Sequence, residues 1–182
     1  EDIGDRLVTI SRGFGRALML GGGGNGVALL RELAPEAHAK AEIWIESDLS
    51  PARAALAEGP SLALDEEALP FADESFDLIV SPLALHWTND LPGALVQIRR
   101  ALKPDGLFIG CLLGGRTLTE LRQVFGQAES EVEGGVSPRV APFAEVREMG
   151  SLLQRAGFAL PVTDVETVTV RYRDPFALMH DL

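Results

Sequence analysis

The chain of 182 residues is 46% hydrophobic and 24% charged, which is ordinary for one globular domain with a sizeable core. Its net charge of −11 and pI near 4.7 argue against nucleic acid as a partner, because most of the surface repels a phosphate backbone. No segment approaches the roughly 18 apolar residues of a membrane-spanning helix, so we expect a chain that does not span a membrane.

Strand-length apolar runs recur along the sequence, and the first five are separated by segments with helical character. This alternation is typical of a mostly parallel sheet with helices on its faces. We therefore predict one α/β, doubly wound, Rossmann-like domain over 1–182. The last run alternates in hydrophobicity and predicts a half-exposed or antiparallel strand at one edge. The predicted strands are RALML (16–20), AEIWIES (41–47), SLAL (61–64), SFDLIVS (75–81), GLFIGCLL (106–113) and VETVTVRY (165–172).

Helices are predicted where apolar residues recur at helical spacing between capping residues and a glycine or proline stop. A Thr-x-x-Glu pattern at Thr117 and Glu120 predicts a capping box, and Ser50 followed by Pro51 predicts another helix start. The predicted helical segments are GVALLREL (26–33), SPARAALAEG (50–59), NDLPGALVQIRRALKPDG (89–106), the segment from Thr117 through Phe125, and FAEVREMGSLLQRAG (143–157).

The stretch LMLGGGGNGV, residues 18–27, joins a predicted strand to a predicted helix through five glycines. Glycine permits positive φ and close backbone approach to a ligand, and the start of a helix offers free N–H groups. A nucleotide-binding turn explains this composition, and a flexible turn without function is the alternative. The surrounding residues have to decide between them.

Acidic residues follow the second and third predicted strands. Asp48 lies about twenty residues beyond the glycines, where a dinucleotide fold places a carboxylate for ribose hydroxyls. Ser50 and Pro51 already account for the next helix start, which favours ribose binding by Asp48 over capping. Asp65 and Glu66 follow the third strand, and there adenine recognition and a solvated acidic turn remain equal alternatives.

Several other classes of site find little support. A nicotinamide-dependent dehydrogenase matches the weak GxGxxG pattern, but the single tyrosine, Tyr172, has no lysine at helical spacing to relay a proton. The sequence contains no GxxxxGK phosphate loop and no GxSxG elbow. The three histidines show no ligand spacing, so we expect no metal site. Cys111 lies in an apolar run and is interpreted as a small core residue.

Taken together, the glycine turn, Asp48 and the stretch DEEALPFADESFDLIVSPLALHWTNDLPGALVQIRRALKPDGLFIG resemble class I S-adenosylmethionine-dependent methyltransferases. The stretches GGRTLTELR, AESEVEGGVSPRVAPF and LLQRAGF are similar to the complex I assembly-factor (arginine hydroxylase) branch. That branch is related to the malonyl-acyl-carrier-protein methyltransferases of biotin synthesis. The resemblance covers nearly the whole chain.

The resemblance implies S-adenosyl-L-methionine as the cofactor and assigns a role to several residues. The glycines approach its methionine part, Asp48 with Leu49 holds the ribose, Asp65 and Glu66 face the adenine, and Ser81 offers backbone to the amino group. The implied cofactor residues are Gly21, Gly22, Gly23, Asp48, Leu49, Asp65, Glu66 and Ser81.

The resemblance also marks departures. The first motif of the family usually carries an acidic residue where this chain has Met19. The family normally extends beyond both ends of this chain, so we expect a domain truncated at both ends. Methyl transfer to an unidentified small-molecule or protein acceptor is the predicted function. The alternatives are arginine hydroxylation or assembly of a complex I subunit, and a non-catalytic binding module.

Three residues are candidates for the acceptor side. His86 follows the fourth strand in LHW and is the predicted general base, with packed structure as the alternative. Trp87 is predicted to belong to the core. Arg139, in the loop ESEVEGGVSPRVAPF, is the candidate substrate residue, and a local ion pair is the alternative. The expected location is cytoplasmic in a bacterium and the mitochondrial matrix in a eukaryote.

Overall fold

A computed structural model describes residues 2–182, which contain a five-stranded sheet. Its strands are β1 (Phe14–Leu20), β2 (Ala41–Asp48), β3 (Ser61–Ala63), β4 (Phe76–Pro82) and β5 (Leu102–Cys111). All neighbouring strands pair in parallel, in the order β3-β2-β1-β4-β5. The order reverses after β1, so the connections leaving β1 and β4 diverge and leave a crevice at the carboxyl ends of these strands. The predicted α/β fold and its first five strands are confirmed.

Helices connect the strands and flank the sheet. They are α1 (Asp2–Thr9), α2 (Gly26–Leu33), α3 (Pro35–His38), α4 (Pro51–Ala54), α5 (Leu91–Ala101), α6 (Thr119–Val132), α7 (Val146–Arg155) and α8 (Pro175–Asp181), with a 3₁₀ turn at Leu85–Trp87. Two of the helices begin with a side-chain cap: the Ser50 side chain accepts a hydrogen bond from Arg53 N, as the sequence predicts, and the Asp90 side chain accepts one from Gly93 N. No helix within residues 2–182 combines the length and apolar composition that crossing a bilayer requires.

The two faces of the sheet are covered by separate apolar clusters. Alternation along β1 sends Leu18 and Leu20 into the cluster that contains residues of α5 and α7. The same alternation sends Ala17 and Met19 into the cluster that contains residues of α1 and α3. Burial on both faces explains why β1 and β4 are almost continuously apolar in sequence.

Two predicted helical segments need correction. The helix predicted over 50–59 is a single turn. After α4 the backbone hydrogen bonds join residues three apart, which tightens the helix, and the residue before Pro60 favours an extended conformation that leads into β3. The capping box predicted at Thr117 and Glu120 is wrong. Helix α6 begins at Thr119, after Leu118 in a left-handed conformation, while Thr117 N donates to Gly114 O in the preceding turn.

The sixth predicted strand is also wrong. Residues 159–172 have no regular secondary structure, and the valines of the alternating run are exposed, including Val168 at 76%. A strand is stabilised by a hydrogen-bonded neighbour, and β5 pairs only with β4 in this sheet. The alternating segment therefore lacks the hydrogen-bonded neighbouring strand that would hold it in an extended conformation.

Candidate functional site

The loop between β1 and α2 lies beside the crevice. It is built from glycines because neighbouring atoms leave no room for side chains. Gly21 has a φ of 72°, and a Cβ there would lie 2.2 Å from Ala84 Cβ. Gly24 has a φ of 82°, and a Cβ there would lie 2.0 Å from the carbonyl oxygen of Arg53. The composition of this loop, hereafter the glycine loop (residues 21–26), is therefore required by conformation and close packing.

A buried carboxylate holds the end of the glycine loop from below. Glu46 of β2 is 3% exposed. Its Oε1 accepts a hydrogen bond from Gly26 N at 2.8 Å, and its Oε2 accepts one from Val27 N at 3.3 Å. Sequence analysis missed this residue, although a carboxylate inside the apolar run AEIWIES was the available signal. Buried carboxylates need such donors, so Glu46 is a structural part of the site.

Asp48 holds the middle of the same loop. Its Oδ2 accepts a hydrogen bond from Gly23 N at 3.1 Å, and its Oδ1 accepts one from Ser50 N at 2.9 Å. Gly22 N donates to Ser47 O at 3.0 Å. Leu49 follows with 62% of its surface exposed. Asp48 therefore lies at the glycine loop, and its contact with a ribose stays a prediction.

The acidic turn after β3 contains one carboxylate that reaches the loop. Asp65 accepts a hydrogen bond from Glu67 N at 2.8 Å and so shapes the turn itself. Glu66 is 9% exposed, and its Oε1 would lie 3.3 Å from a Cβ at Gly21. Burial raises the pKa of Glu66, and the charges of neighbouring acids, including Asp48, add to this increase. Of the two residues assigned to the adenine, Glu66 is the one in contact with the crevice.

The end of β4 carries polar atoms that have no partner within residues 2–182. Ser81 is fully buried, and its hydroxyl makes no hydrogen bond. The chain then turns through Leu83 at a φ of 56° and enters the 3₁₀ turn that contains His86. The Nδ1 of His86 is likewise buried and without a partner. Unpaired buried polar atoms are uncommon in proteins, so we expect a ligand or a water molecule to satisfy these two.

The ring of His86 lies among other aromatic side chains. Its ring lies 5.0 Å from that of Trp87 and 5.9 Å from that of Phe143, between ring centroids. Burial lowers the pKa of His86, which favours the neutral imidazole. Trp87 is 71% exposed, so its predicted place in the core is wrong. The short 3₁₀ turn directs Leu85 into the core and leaves Trp87 at the surface.

Arg139 lies in the connection between α6 and α7. Its Nε donates to Glu129 Oε1 of α6, and the other oxygen of Glu129 accepts a hydrogen bond from Ser137 N at 2.7 Å. Arg139 also lines a cavity of about 310 Å³ with Arg122 and Phe125. The same connection contains Phe143, which contacts His86, so this segment reaches the acceptor side.

The sequence matches the family model described as "Methyltransferase domain" over residues 19–110, just over half of the chain. The chain belongs to this methyltransferase family. The matched region runs from within β1 to within β5, and therefore includes the glycine loop, Glu46, Asp48, Glu66, Ser81 and His86.

Solved structures show the same methyltransferase fold. An S-adenosylmethionine-dependent methyltransferase from Mesorhizobium loti superposes with a TM-score of 0.63 at 22% identity, covering 87% of this chain and 80% of that one. The YcgJ protein of Bacillus subtilis superposes with a TM-score of 0.63 at 21% identity, covering 86% and 68% of the two chains. These identities establish the fold alone.

Relatives confirm both branches of the predicted resemblance to methyltransferases. The human mitochondrial arginine-hydroxylase NDUFAF5 is 45% identical over 99% of this chain and 52% of its own length. A malonyl-[acyl-carrier protein] O-methyltransferase of Laribacter hongkongensis is 36% identical over 100% of this chain and 65% of its own length. The methyltransferase chain thus spans about half the length of the human relative.

Proposed function

We propose that this chain is an S-adenosyl-L-methionine-dependent methyltransferase that acts on an acceptor still to be identified. The observation that carries the proposal is the glycine loop, which is held by Glu46 and Asp48 and bordered by the buried carboxylate of Glu66. Together these residues make a side-chain-free, acidic crevice at the carboxyl ends of β1, β2 and β4. The family match supports the same conclusion.

The charge of the crevice fits this cofactor. S-Adenosylmethionine carries a sulfonium and an ammonium group, and cations are favoured where acids are partly desolvated. The raised pKa of Glu66 means that the charged form lacks compensation, which a bound cation would supply. The buried hydroxyl of Ser81 offers a further polar contact. The residues present therefore fit the implied group, with Gly21–Gly23, Asp48, Leu49, Asp65, Glu66 and Ser81 as the proposed cofactor contacts.

When bound, the cofactor supplies a methyl group that its sulfonium has already activated. The task left to the protein is to align the acceptor with that methyl group and to exclude water. In well-oriented model reactions, alignment of the reactants lowers the activation barrier by on the order of 7–11 kcal/mol. The glycine loop fixes the cofactor side. The neutral His86 is placed to accept a proton from an acceptor nitrogen or hydroxyl, whereas a carboxylate acceptor needs no base.

The acceptor would enter from the side of His86 and Trp87. Trp87 is exposed beside His86 and offers an aromatic surface, and the connection that carries Phe143 and Arg139 borders the same side. The guanidinium of Arg139 is engaged by Glu129, and its role as an acceptor contact is proposed from its place in the same connection as Phe143. A small molecule and a protein side chain are both compatible with this opening.

A second candidate function is hydroxylation of an arginine in a protein, including a complex I subunit as the resemblance implies. Its support is the 45% identity to the human arginine-hydroxylase over 99% of this chain. A third candidate is a binding module that keeps the fold without catalysis. In a eukaryote the protein would act in the mitochondrial matrix, as the word "mitochondrial" in the relative's name suggests, and in a bacterium in the cytoplasm.

Two measurements separate these candidates. Titration calorimetry with S-adenosylmethionine and S-adenosylhomocysteine should show binding, and NAD should show none. Mass spectrometry of candidate acceptors after incubation should then show the gain of one CH₂ group, with the label of a methyl-labelled cofactor retained. A gain of one oxygen atom would instead establish the hydroxylase. Absence of cofactor binding by the full-length protein would reject both enzymes and leave the binding module.

A further inference from the structure

The glycine loop rests on two side chains that come from neighbouring strands. Met19 of β1 and Glu46 of β2 are paired in register, so both side chains point to the same face of the sheet. A Cβ at Gly22 would lie 2.5 Å from Glu46 Oε1 and 2.8 Å from Met19 Cγ. A Cβ at Gly26 would lie 3.2 Å from Met19 Cγ. Met19 and Glu46 therefore lie side by side directly beneath the loop.

Only one of these two side chains can bind the loop. The thioether of Met19 is at best a weak acceptor, and this side chain packs in the apolar cluster with Leu78 and Val80. Glu46 accepts hydrogen bonds from Gly26 N and Val27 N, the first two amides of α2. These amides have no partner within their own helix, and the N-terminus of a helix favours negative charge. The carboxylate is buried and its two bonds satisfy both partners.

The loop needs this support because five of its six residues are glycines. Each glycine loses more conformational freedom on ordering than any other residue, so a loop of this composition is ordered only by bonds from outside. Asp48 fixes Gly23 in the middle of the loop, and Glu46 fixes Gly26 and Val27 at its end. Both carboxylates belong to β2.

We propose that Glu46 is the positioning residue of the glycine loop, supplying from β2 the acid that β1 lacks at Met19. Its carboxylate sets the path of the loop and the start of α2, and thereby the affinity of the crevice for the cofactor. The effect on affinity rests on the proposed function, whereas the effect on the loop does not. Because the two positions are adjacent in the ladder, an acid at either one reaches the same amides.

This geometry predicts a compensating pair of substitutions. Glu46→Gln keeps the shape of the side chain but removes its negative charge. The side-chain NH₂ group then faces one of the two backbone N–H groups that the carboxylate had accepted from. Met19→Glu keeps the length of the methionine side chain and, with Glu46 still present, places two carboxylates side by side in a buried site. The double variant Met19→Glu/Glu46→Gln restores a single acid beneath the loop. Glu42→Gln is the matched control, because Glu42 is an exposed acid on the same strand.

The experiment combines cofactor-free and cofactor-bound measurements on the full chain. In cofactor-free protein, the NMR amide resonances of Gly26 and Val27 should shift upfield in Glu46→Gln and return toward their original positions in the double variant. Both single variants should lower the melting temperature, and the double variant should melt above each of them. Calorimetry should show S-adenosylmethionine binding weakened at least ~tenfold in Glu46→Gln, the scale of a lost charge-assisted hydrogen bond, and recovered to within about threefold in the double variant.

The outcomes separate this proposal from the proposed function. If the native chain does not bind S-adenosylmethionine, the proposed function fails. The amide shifts and the melting temperatures of the single and double variants still decide the role of Glu46. Unchanged amide resonances in Glu46→Gln would overturn the proposal. A double variant that melts at or below the level expected from adding the two single effects would overturn it as well. An affinity loss that the double variant leaves unrecovered would overturn the proposed link between an acid beneath the loop and cofactor affinity.

Discussion

On the cofactor side of the site, Glu46 and Asp48 accept hydrogen bonds from backbone amides of the glycine loop. On the acceptor side, His86 Nδ1 has no partner among residues 2–182. The glycine loop is therefore organised by the chain itself, whereas the acceptor side holds a polar atom that a ligand or water must satisfy. Glu66 is intermediate, because it is buried at the loop but its pKa is raised.

The difference indicates which functions each side controls. An organised loop loses little freedom when a ligand binds, so changes there should affect both stability and cofactor affinity. A buried polar atom without a partner adds no hydrogen-bond stabilisation to the free protein, so changing His86 should affect turnover without lowering the stability of the fold. Four substitutions test this comparison, beginning with the largest expected effect.

Gly24→Ala should break the organised side. The new Cβ combines a left-handed backbone with a distance of 2.0 Å to Arg53 O, so we expect about 3 kcal/mol of destabilisation, from left-handed strain plus overpacking. Denaturant unfolding measures it. Gly134→Ala is the matched control, since its φ is 69° but nothing lies within 4 Å, and it should cost only about 1 kcal/mol. Equal losses in the free energy of unfolding for Gly24→Ala and Gly134→Ala would show that the close contact between Gly24 and α4 is unimportant.

Asp48→Asn should weaken cofactor binding with a smaller loss of stability. The amide group cannot accept from both Gly23 N and Ser50 N, and the negative charge is lost. We expect the affinity for S-adenosylmethionine to fall about 100-fold, the upper range for a lost charged hydrogen bond. Calorimetry measures this change. Asp73→Asn removes an exposed carboxylate that pairs with Arg100 and should leave the affinity unchanged. Unaltered binding in Asp48→Asn would remove this residue from the cofactor site.

His86→Gln should affect turnover and leave folding nearly unchanged. Burial lowers the pKa of His86 from its usual value near 6.5, so the neutral base is present at pH 7. We expect kcat to fall about 100-fold where the acceptor atom must lose a proton, the low end of general-base contributions. In the native protein, kcat should be constant near neutrality and fall as the pH drops through the lowered pKa. A pH profile that is unchanged in His86→Gln would assign the side chain to packing.

Glu66→Gln should raise stability while it weakens cofactor binding. Because burial raises the pKa of Glu66 in the folded state, its ionisation destabilises the fold as the pH rises through that pKa. At pH 8, glutamine should remove this cost, which is about 1 kcal/mol for a buried group with few hydrogen-bond partners. The advantage should vanish below the usual value of 4.5, where glutamate is protonated in both states. Thermal melts at pH 8 and pH 4 test this, and a pH-independent difference would contradict it.

Much of the sheet could be predicted because both faces of β1 and β4 are covered, which leaves an apolar run that few other elements produce. Asp48 could be predicted because the end of a parallel strand next to a glycine turn has a fixed place in such folds. The need for glycine at Gly21 and Gly24 was also visible in the composition. These features depend on local sequence and on rules of topology.

The features that escaped prediction depend on neighbours that sequence alone does not supply. The role of Glu46 follows from its register with Met19, which is set by strand pairing. The exposure of Trp87 follows from the direction of a single 3₁₀ turn. The alternating run at 165–172 had the composition of a strand, but a strand also requires a partner ladder. Predicted site residues whose role depends on a ligand remain predictions.

The single cysteine, Cys111, has a practical consequence for studying this molecule. Its thiol lies 3.8 Å from Asp2 Oδ2, and burial together with that carboxylate raises the pKa of Cys111. The thiolate is the reactive form, so the native thiol should react slowly with maleimides at neutral pH. A cysteine introduced on the exposed surface of α6 would then take up a fluorophore selectively. The surroundings of α6 can thus be probed in solution, with and without ligands, without first removing a native residue.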